Sequence, residues 1–518
     1  MRATNNHNLF AALRAAFPAD LDATAIETAD SATPLFYTWR DLERGTAMLA
    51  NLIDSLALPA ASRIAVQTEK SVEALMLYLA VLRAGHVFLP LNTAYQAGEI
   101  EYFIGNAEPA MVVCAGKNFG WVSKIAFLAG TKHVFTLNED RTGTLLDRAA
   151  FQGDQHQLAL RGDDDLAAIL YTSGTTGRSK GAMLTHGNLL SNAQVLHEAW
   201  GWRHDDVLIH ALPIFHVHGL FVASHGALLA GAKMVWFGRF DPRAVAARLP
   251  RATVFMGVPT LYVRLLGEAA LTKAACAPMR LFVSGSAPML IETFNSWRER
   301  TGHTILERYG MSETVMLTSN PYRPESARRG GTVGLPLPGV GVRVRDDKGA
   351  AVPAGEIGGI EVRGPNVFKG YWRLPEKTAE EFTADSRGNK WFKTGDVGRM
   401  DADGYVTIVG RSKDLIITGG YNVYPAEVEG YINELPGAAE SAVIGVPHKD
   451  FGEAVVAVVV RKPGAALDGT AVAAALKTQI ANFKVPKQVF VVDELPRNAM
   501  GKVQKNLLRD QHKALFGG

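Results

Sequence analysis

The sequence predicts an α/β fold: a large N-terminal domain of αβ layers that includes a β-rich subdomain, followed by a small α+β C-terminal domain. Three observations predict it. As far as about Gly330, short β-branched runs alternate with helical stretches, the rhythm of crossover units around mostly parallel sheets. From there Gly and Pro punctuate a series of short strands. After Arg411 an αβ rhythm resumes over about a hundred residues, enough for a separate small domain.

The elements follow in order. Arg63–Gln67 reads as a strand, Ser71–Ala84 has helical periodicity, and Val87–Leu91 returns to strand. The stretch from Ser71 to Leu91 is the most apolar helix candidate, but Glu73, Arg83 and His86 interrupt it. It therefore reads as a buried helix and strand rather than a membrane span. Met111–Ala115 and Val254–Met256 repeat the strand pattern, and Val340–Arg345 and Gly359–Arg363 are strands of the β-rich stretch. Asp403-Gly404, between Gly398–Asp401 and Tyr405–Val409, has the chemistry of a two-residue hairpin connection. Beyond it, Pro425–Asn433 reads as helix, Ser441–Gly445 and Val455–Val460 as strands, and Thr470–Ala481 as helix. The division predicted is 1–410, with the β-rich subdomain at about 330–410, and 411–518.

Composition narrows the function classes. With 47% hydrophobic and 20% charged residues, and 51 Gly and 24 Pro spread along 518 positions, the chain is neither disordered nor collagen-like. Its formal charge of +3 comes without a basic block, which argues against nucleic-acid binding and against stable membrane association. Cys114 and Cys276 have no metal-ligand spacing and fit a reducing compartment, the cytoplasm. Asn5, Asn6, His7, Asn8 and Arg14 break any secretory apolar region in Met1–Asp20; the absence of acids before Asp20 leaves an organelle-transit reading open.

The strongest chemical signal is Tyr171-Thr172-Ser173-Gly174-Thr175-Thr176-Gly177-Arg178-Ser179-Lys180-Gly181, placed after the strand Ala167–Leu170 and before a helix from His186. Glycines let backbone N–H groups converge, hydroxyls add donors, and Lys180 adds a positive charge, a combination suited to a polyphosphate. The order of residues is not that of a Walker A loop.

This loop resembles the phosphate loop of the adenylate-forming superfamily, which includes acyl-CoA synthetases, luciferases and peptide-synthetase adenylation domains. Four further segments agree in order: Arg308-Tyr309-Gly310-Met311-Ser312-Glu313-Thr314, Thr394-Gly395-Asp396, Gly410-Arg411-Ser412-Lys413-Asp414, and Pro496-Arg497-Asn498-Ala499-Met500-Gly501-Lys502. The resemblance covers nearly the whole chain and implies ATP, Mg²⁺ and coenzyme A as co-substrates and cofactor. It implies ATP binding by Thr172, Ser173, Gly174, Thr175, Thr176, Gly177, Lys180, Tyr309, Gly310, Met311, Ser312, Asp396, Arg411 and Lys502. It makes Lys502, Glu313 and Lys180 the catalytic residues, Glu313 the Mg²⁺ ligand, and Lys413, Gly419, Gly420 and Tyr421 the CoA-binding set. Lys413 matches the family's hinge, about which its C-terminal domain rotates, so the small domain here is expected to be mobile. Lys502 also falls where relatives are reversibly acetylated, which implies a lysine acetyltransferase and deacetylase as partners.

The chemistry explains these residue types. A carboxylate does not react with a thiol at neutral pH, because its leaving group would be oxide. Attack on the α-phosphate of ATP converts it to an acyl-adenylate, and bringing two anions together requires cations. The pocket for the acid is expected among Phe215–Leu220, Met256–Thr260 and Ser284–Pro288, with Arg308, His216, Ser286 and Gly285 as substrate-binding residues. Most relatives carry Gln-Gly where this chain has Glu307-Arg308; a bulky cation there would block a long chain and pair with a short dicarboxylate. Arg280 and Arg264 are rival cations. Leu306–Glu313 with Thr318-Ser319-Asn320-Pro321, and Leu208–His216, resemble the malonyl-CoA synthetases. The implied activity is ligation of malonate, with methylmalonate as a variant, to CoA, releasing AMP and pyrophosphate. A CoA ligase for another short, medium-chain or aromatic acid, and an adenylation enzyme loading a carrier protein, are the alternatives.

Overall fold

The computed structural model describes residues 6–29, 33–172, 179–418, 421–448, 451–477, 479–498 and 501–517. They form two compact units, Met1–Val342 with Val362–Phe392, and Arg343–Glu361 with Lys393–Gly518.

The first unit is layered α/β. One sheet runs Gly370–Tyr371, Lys180–Thr185, Leu166–Thr172, Val87–Pro90, Arg63–Gln67, Met111–Cys114, His133–Thr136, parallel through its last five strands and antiparallel at the Lys180–Thr185 end. A second orders Leu335–Pro336, Val315–Ser319, Leu306–Met311, Leu281–Ser284, Val254–Gly257, Val207–His210, Lys233–Trp236, Thr24–Thr28, Phe36–Thr38, parallel in its centre with antiparallel ends. Parallel strands buried on both faces read as continuous apolar runs, which is why Met111–Cys114 and Val254–Gly257 stood out. Trp297, fully buried, meets Tyr262 and Phe282 edge-on at centroid distances of 4.8 and 5.0 Å and anchors the helix Ile291–Thr301 to the second sheet.

The interrupted apolar stretch is a buried helix, as expected. All of Val72–Arg83 is buried, with Ser71 capping it through a bond from the Ala74 N–H. Its two charges are consumed locally: Glu73 accepts from Tyr37 Oη (2.6 Å) and Arg141 Nε (3.1 Å), while Arg83 donates to Thr46 Oγ1, Glu43 O and His156 O. No helix among the described residues is long and apolar enough to cross a membrane.

In the second unit, Ala438–His448 and Gly452–Arg461 form a long antiparallel pair, with Gln488–Val492 parallel on one edge. Alternate residues enter two cores. Val443, Val455, Ala457 and Val459 pack with Val428, Ile432, Val472 and Leu476, whereas Ala442, Ile444, Val446, Val456 and Val458 pack with Leu508. Helices therefore cover both faces. Two local expectations change. The helix expected over Thr470–Ala481 spans Gly469–Leu476, capped by Asp468. The turn at Asp403-Gly404 is a three-residue connection rather than a two-residue one. Asp401 N–H donates to Tyr405 O, the Asp401 carboxylate accepts from the N–H groups of Asp403 and Tyr405, and Gly404 takes φ +87°. That local carboxylate outcompetes the tighter turn.

Arg280 illustrates how buried charge is settled in the first unit. Its Nε and Nη2 bind both Asp206 carboxylate oxygens (2.7 and 2.5 Å), and Nη1 donates to Trp200 O at 3.0 Å. Replacing Asp206 with Ala strands this cation, and chemical denaturation should register a loss of about 3–5 kcal/mol.

Candidate active site

Strand Leu166–Thr172 enters the glycine-rich loop and strand Lys180–Thr185 leaves it, paired antiparallel from Leu166↔Thr185 to Thr172↔Lys180. The helix expected from His186 is His186–Ala199, which Thr185 caps in a reciprocal pair of bonds with Asn188; the strand between the loop and that helix was not foreseen. Six residues sandwiched between two other strands show no amphipathic signature of their own. Ser173, Gly174, Thr175, Thr176 and Gly177 lie outside the described residues. At the loop's shoulders, Thr172 Oγ1 donates to Lys180 O (3.3 Å), and Lys180 Nζ sits 3.5 Å from Glu381 Oε1 and 4.2 Å from the centroid of the Tyr371 ring.

The second motif folds as a hairpin. Strand Leu306–Met311 turns at Ser312–Thr314 into Val315–Ser319, with a register shift between Tyr309 and Gly310. Tyr309, Met311 and Ser312 are half-buried beside it. A side chain at position 310 would stand 1.8 Å from Val315 O, and Val315 itself holds φ +54°, so the turn is tight enough to demand glycine. The turn buries Glu313, whose Oε1 accepts from Tyr371 Oη at 2.9 Å. Among the described residues no group of three or more His, Cys, Asp or Glu could hold a metal by itself. A single buried carboxylate near a phosphate loop fits Mg²⁺, which keeps waters and takes most other ligands from substrate phosphates.

One residue before Tyr309, Arg308 is 2% exposed, and neither its Nε nor its Nη2 has solvent access or, among the described residues, a hydrogen-bond partner. Desolvation pulls its pKa down to about 9, leaving it charged at neutrality. Its guanidinium lies against Gly285, where a Cβ would approach Cζ to 2.6 Å. Ser286 follows at φ +70°, a strained conformation for a non-glycine residue. Two further residues accompany it: Ser284 Oγ and both ring nitrogens of His218 are buried without partners among the described residues. Burial first, and then the Arg308 charge, hold His218 neutral. His216 is half-buried, and its Nδ1 accepts a long bond (3.4 Å) from His218 N–H. Of the rival cations, Arg280 is committed to Asp206, and Arg264 is exposed on the helix Pro259–Leu266.

Glu307 does not neutralise Arg308. Successive strand residues face opposite ways, and Glu307 Oε1 accepts instead from Gly331 N–H at 3.1 Å. Burial raises its pKa to about 8, so it is protonated at pH 7.

In the second unit, Asp396 and Arg411 are cross-strand partners joined by an ion pair (Nε to Oδ1, 2.7 Å), with Arg411 Nη1 on Thr394 O and Ser412 Oγ on Gly395 O. Gly395 takes φ +72°, turning the chain so that Asp396 N–H reaches Thr394 Oγ1. Lys413 is exposed on the turn Ser412–Asp414, and Arg509 of the last helix grips Asp414 at 2.5 Å. Gly419 and Gly420 lie outside the described residues; Tyr421, just after them, is exposed and stacks on Phe483 at 4.7 Å. Lys502 is exposed on a turn closed by paired bonds, Asn498 N–H to Lys502 O (2.9 Å) and Lys502 N–H to Asn498 Oδ1 (3.0 Å).

Sequence reasoning overlooked Tyr371, Glu381, His218 and Ser284. His218 and Ser284 stand inside pocket segments that were expected, and their neighbours were chosen instead. Nothing in Gly370-Tyr371-Trp372 marks a tyrosine that reaches Glu313, 58 positions earlier.

These features belong together in one family. Residues 16–372 match the AMP-binding enzyme family and residues 427–502 the AMP-binding enzyme C-terminal domain, and the chain belongs to this family of adenylate-forming enzymes. It is 35% identical to a malonate–CoA ligase of Arabidopsis thaliana, over 86% of this chain and 78% of that protein. It is also 35% identical to a feruloyl-CoA synthase of an Amycolatopsis species, over 91% of this chain and 93% of that protein. The crystal structure of ATP-bound MatB from Rhodopseudomonas palustris superposes with a TM-score of 0.94 at 53% identity, covering 99% of this chain and all of that one.

The Glu307 carboxyl supplies a pH test with a definite sign. With its pKa raised from 4.5 to about 8, the unfolded chain releases the proton first, so stability falls as pH rises through that window. Thermal unfolding midpoints of Glu307→Gln should fall less between pH 5 and about 8 than those of the unaltered protein.

Proposed function

We propose that this protein is an AMP-forming acid–thiol ligase that joins malonate, with methylmalonate as a variant, to coenzyme A. The observation that carries the choice of acid is Arg308: a buried guanidinium without a counter-charge among the described residues, beside a serine hydroxyl that has no partner among them and a neutral histidine. A carboxylate distal to the reacting one would satisfy the fork. The same set would leave a monocarboxylate's alkyl chain against a desolvated charge. The malonate–CoA ligase among the relatives supports this reading.

In the first half-reaction one malonate carboxylate oxygen attacks the α-phosphorus of ATP, and the bond to pyrophosphate breaks. In the second, the CoA sulfur attacks the carbonyl carbon and AMP leaves. We assign to Thr172 through Gly177 and Lys180 the hold on the phosphates, and to Tyr309, Gly310, Met311 and Ser312 the walls of the nucleotide site. Asp396 takes the ribose hydroxyls, with Arg411 orienting its carboxylate. Glu313 holds Mg²⁺, which when bound neutralises charge on the transferring phosphates. Gly285, Ser286 and His216 line the acid site around Arg308, and Lys502 brings its ammonium to the carboxylate and α-phosphate oxygens.

Residues 1–410, with the β-rich part at about 330–410, serve in this reading as the N-terminal domain, and 411–518 as the mobile C-terminal domain. Rotation about Lys413 withdraws Lys502 after adenylation and delivers Gly419, Gly420 and Tyr421 to the CoA pantetheine. The exposure of Lys502 suits a lysine acetyltransferase and deacetylase, and removal of its charge would silence the first step. We place the enzyme in the cytoplasm, where its two free, buried cysteines stay reduced.

Two substitutions test the assignments. Arg308→Ala should raise KM for malonate by about 10- to 100-fold while leaving KM for butyrate nearly unchanged, since it removes a charge-assisted bond that only the dicarboxylate makes. Equal changes for both acids would return the assignment to an aromatic or medium-chain acid, the reading that the feruloyl-CoA synthase relative favours. Lys502→Ala should slow pyrophosphate release by about 100-fold or more yet largely spare thioester formation from supplied malonyl-AMP. Equal loss of both steps would rule out the two-conformation scheme.

A further inference from the structure

Residues 366–372 form a strap between the two halves of the phosphate site. On one side Lys369 N–H donates to Met183 O and Trp372 N–H to Gly181 O, as Gly370 and Tyr371 pair with Met183 and Ala182 of the strand leaving the phosphate loop. On the other, Asn366 Nδ2 donates to Thr314 O (2.7 Å) and Met316 O (3.0 Å), and Phe368 N–H to Glu313 O (2.8 Å). The strap thus ties the Lys180 strand to the Glu313 turn through backbone bonds and the Asn366 side-chain amide. Tyr371 adds a link between the two charged side chains. Its hydroxyl donates to Glu313 Oε1 at 2.9 Å, its ring face lies 4.2 Å from Lys180 Nζ, and Phe368 packs edge-on against the ring at 4.8 Å.

An aromatic ring between a cation and an anion serves each by a different part. The π face attracts the ammonium, and the phenolic proton fixes one carboxylate oxygen. One side chain thus holds both groups in place, while Lys180 Nζ also lies 3.5 Å from Glu381 Oε1. We propose that Tyr371 is a positioning residue that sets Glu313 and Lys180 as a matched pair for a magnesium–triphosphate. The proposal rests on the ATP-dependent reading above and adds to it the residue that couples the metal's carboxylate to the loop's lysine.

The test is calorimetric binding of a non-hydrolysable ATP analogue, without and with Mg²⁺, to the full-length protein and to Tyr371→Phe and Tyr371→Leu. The unaltered protein should bind the analogue more tightly when Mg²⁺ is added. Tyr371→Phe keeps the ring and loses the hydroxyl, so it should lose about tenfold of that gain while its metal-free affinity stays within about twofold. Tyr371→Leu should weaken metal-free binding as well, because Lys180 loses its seat. A full Mg²⁺ gain in Tyr371→Phe overturns the proposal. So does an equal fall of both affinities with a lowered unfolding midpoint, which would make the residue merely structural. If Tyr371→Phe does not fold, Phe368→Leu loosens the ring while keeping its hydroxyl; it should lose part of the gain, and an unchanged gain again overturns the proposal. No gain in the unaltered protein would instead defeat the ATP–metal reading itself.

Discussion

An arginine buried without a counter-charge among the described residues is the constraint around which the first unit's site is arranged. Desolvating a guanidinium costs several kcal/mol when nothing pairs with it. The fold does not relieve that cost, although Arg280, just before the neighbouring strand Leu281–Ser284, shows that it can: there Asp206 supplies a bidentate partner. Around Arg308 the neighbouring carboxyl is turned to the other face and kept protonated, the neighbouring histidine is kept neutral, and Gly285 removes the side chain that would displace the guanidinium. Such an arrangement is stable only because the surrounding sheet is large and its strand ends are locked, and it becomes favourable when an anion arrives.

Cross-motif contacts also hold the second charged cluster of the first unit. Lys180 meets an aromatic face and a carboxylate at 3.5 Å, and Glu313 accepts from a phenol, so groups far apart in the chain are fixed against one another. In the second unit, by contrast, Asp396 and Arg411 are fully engaged with each other across a strand pair. In the reading proposed above, a carboxylate held that way would be fixed in position before a sugar hydroxyl reached it, at the cost of sharing its acceptor capacity with the guanidinium.

Strain marks the places where backbone and ligand chemistry compete. Val315 and Ser286 both adopt positive φ, each next to a glycine that a Cβ would make impossible or would force to displace Arg308. The two turns bracket the acid and nucleotide segments, and each ends a strand of the same sheet. Ligand sites at the carboxyl ends of strands in open α/β sheets follow from this geometry, since the loops there are where backbone groups remain unpaired.

The sequence by itself determined the alternation of strands and helices, the buried helix Val72–Arg83, the glycine-rich loop and the order of the motifs. Each of these is a local signal: periodicity, a cap, or a run of residues whose chemistry shows in isolation. It also marked Arg308, because the resemblance leads one to expect Gln-Gly where this chain has Glu307-Arg308. It did not reveal that Lys180–Thr185 is a strand, nor that Asp401 lengthens the turn before Tyr405. It ranked Arg308 above the rivals Arg280 and Arg264 but could not show what each one meets. Tertiary structure supplied those contacts. A counter-charge, an orphaned hydroxyl and a tyrosine linking two motifs are relations between residues far apart in the chain, and only the folded sheets bring them within hydrogen-bonding distance.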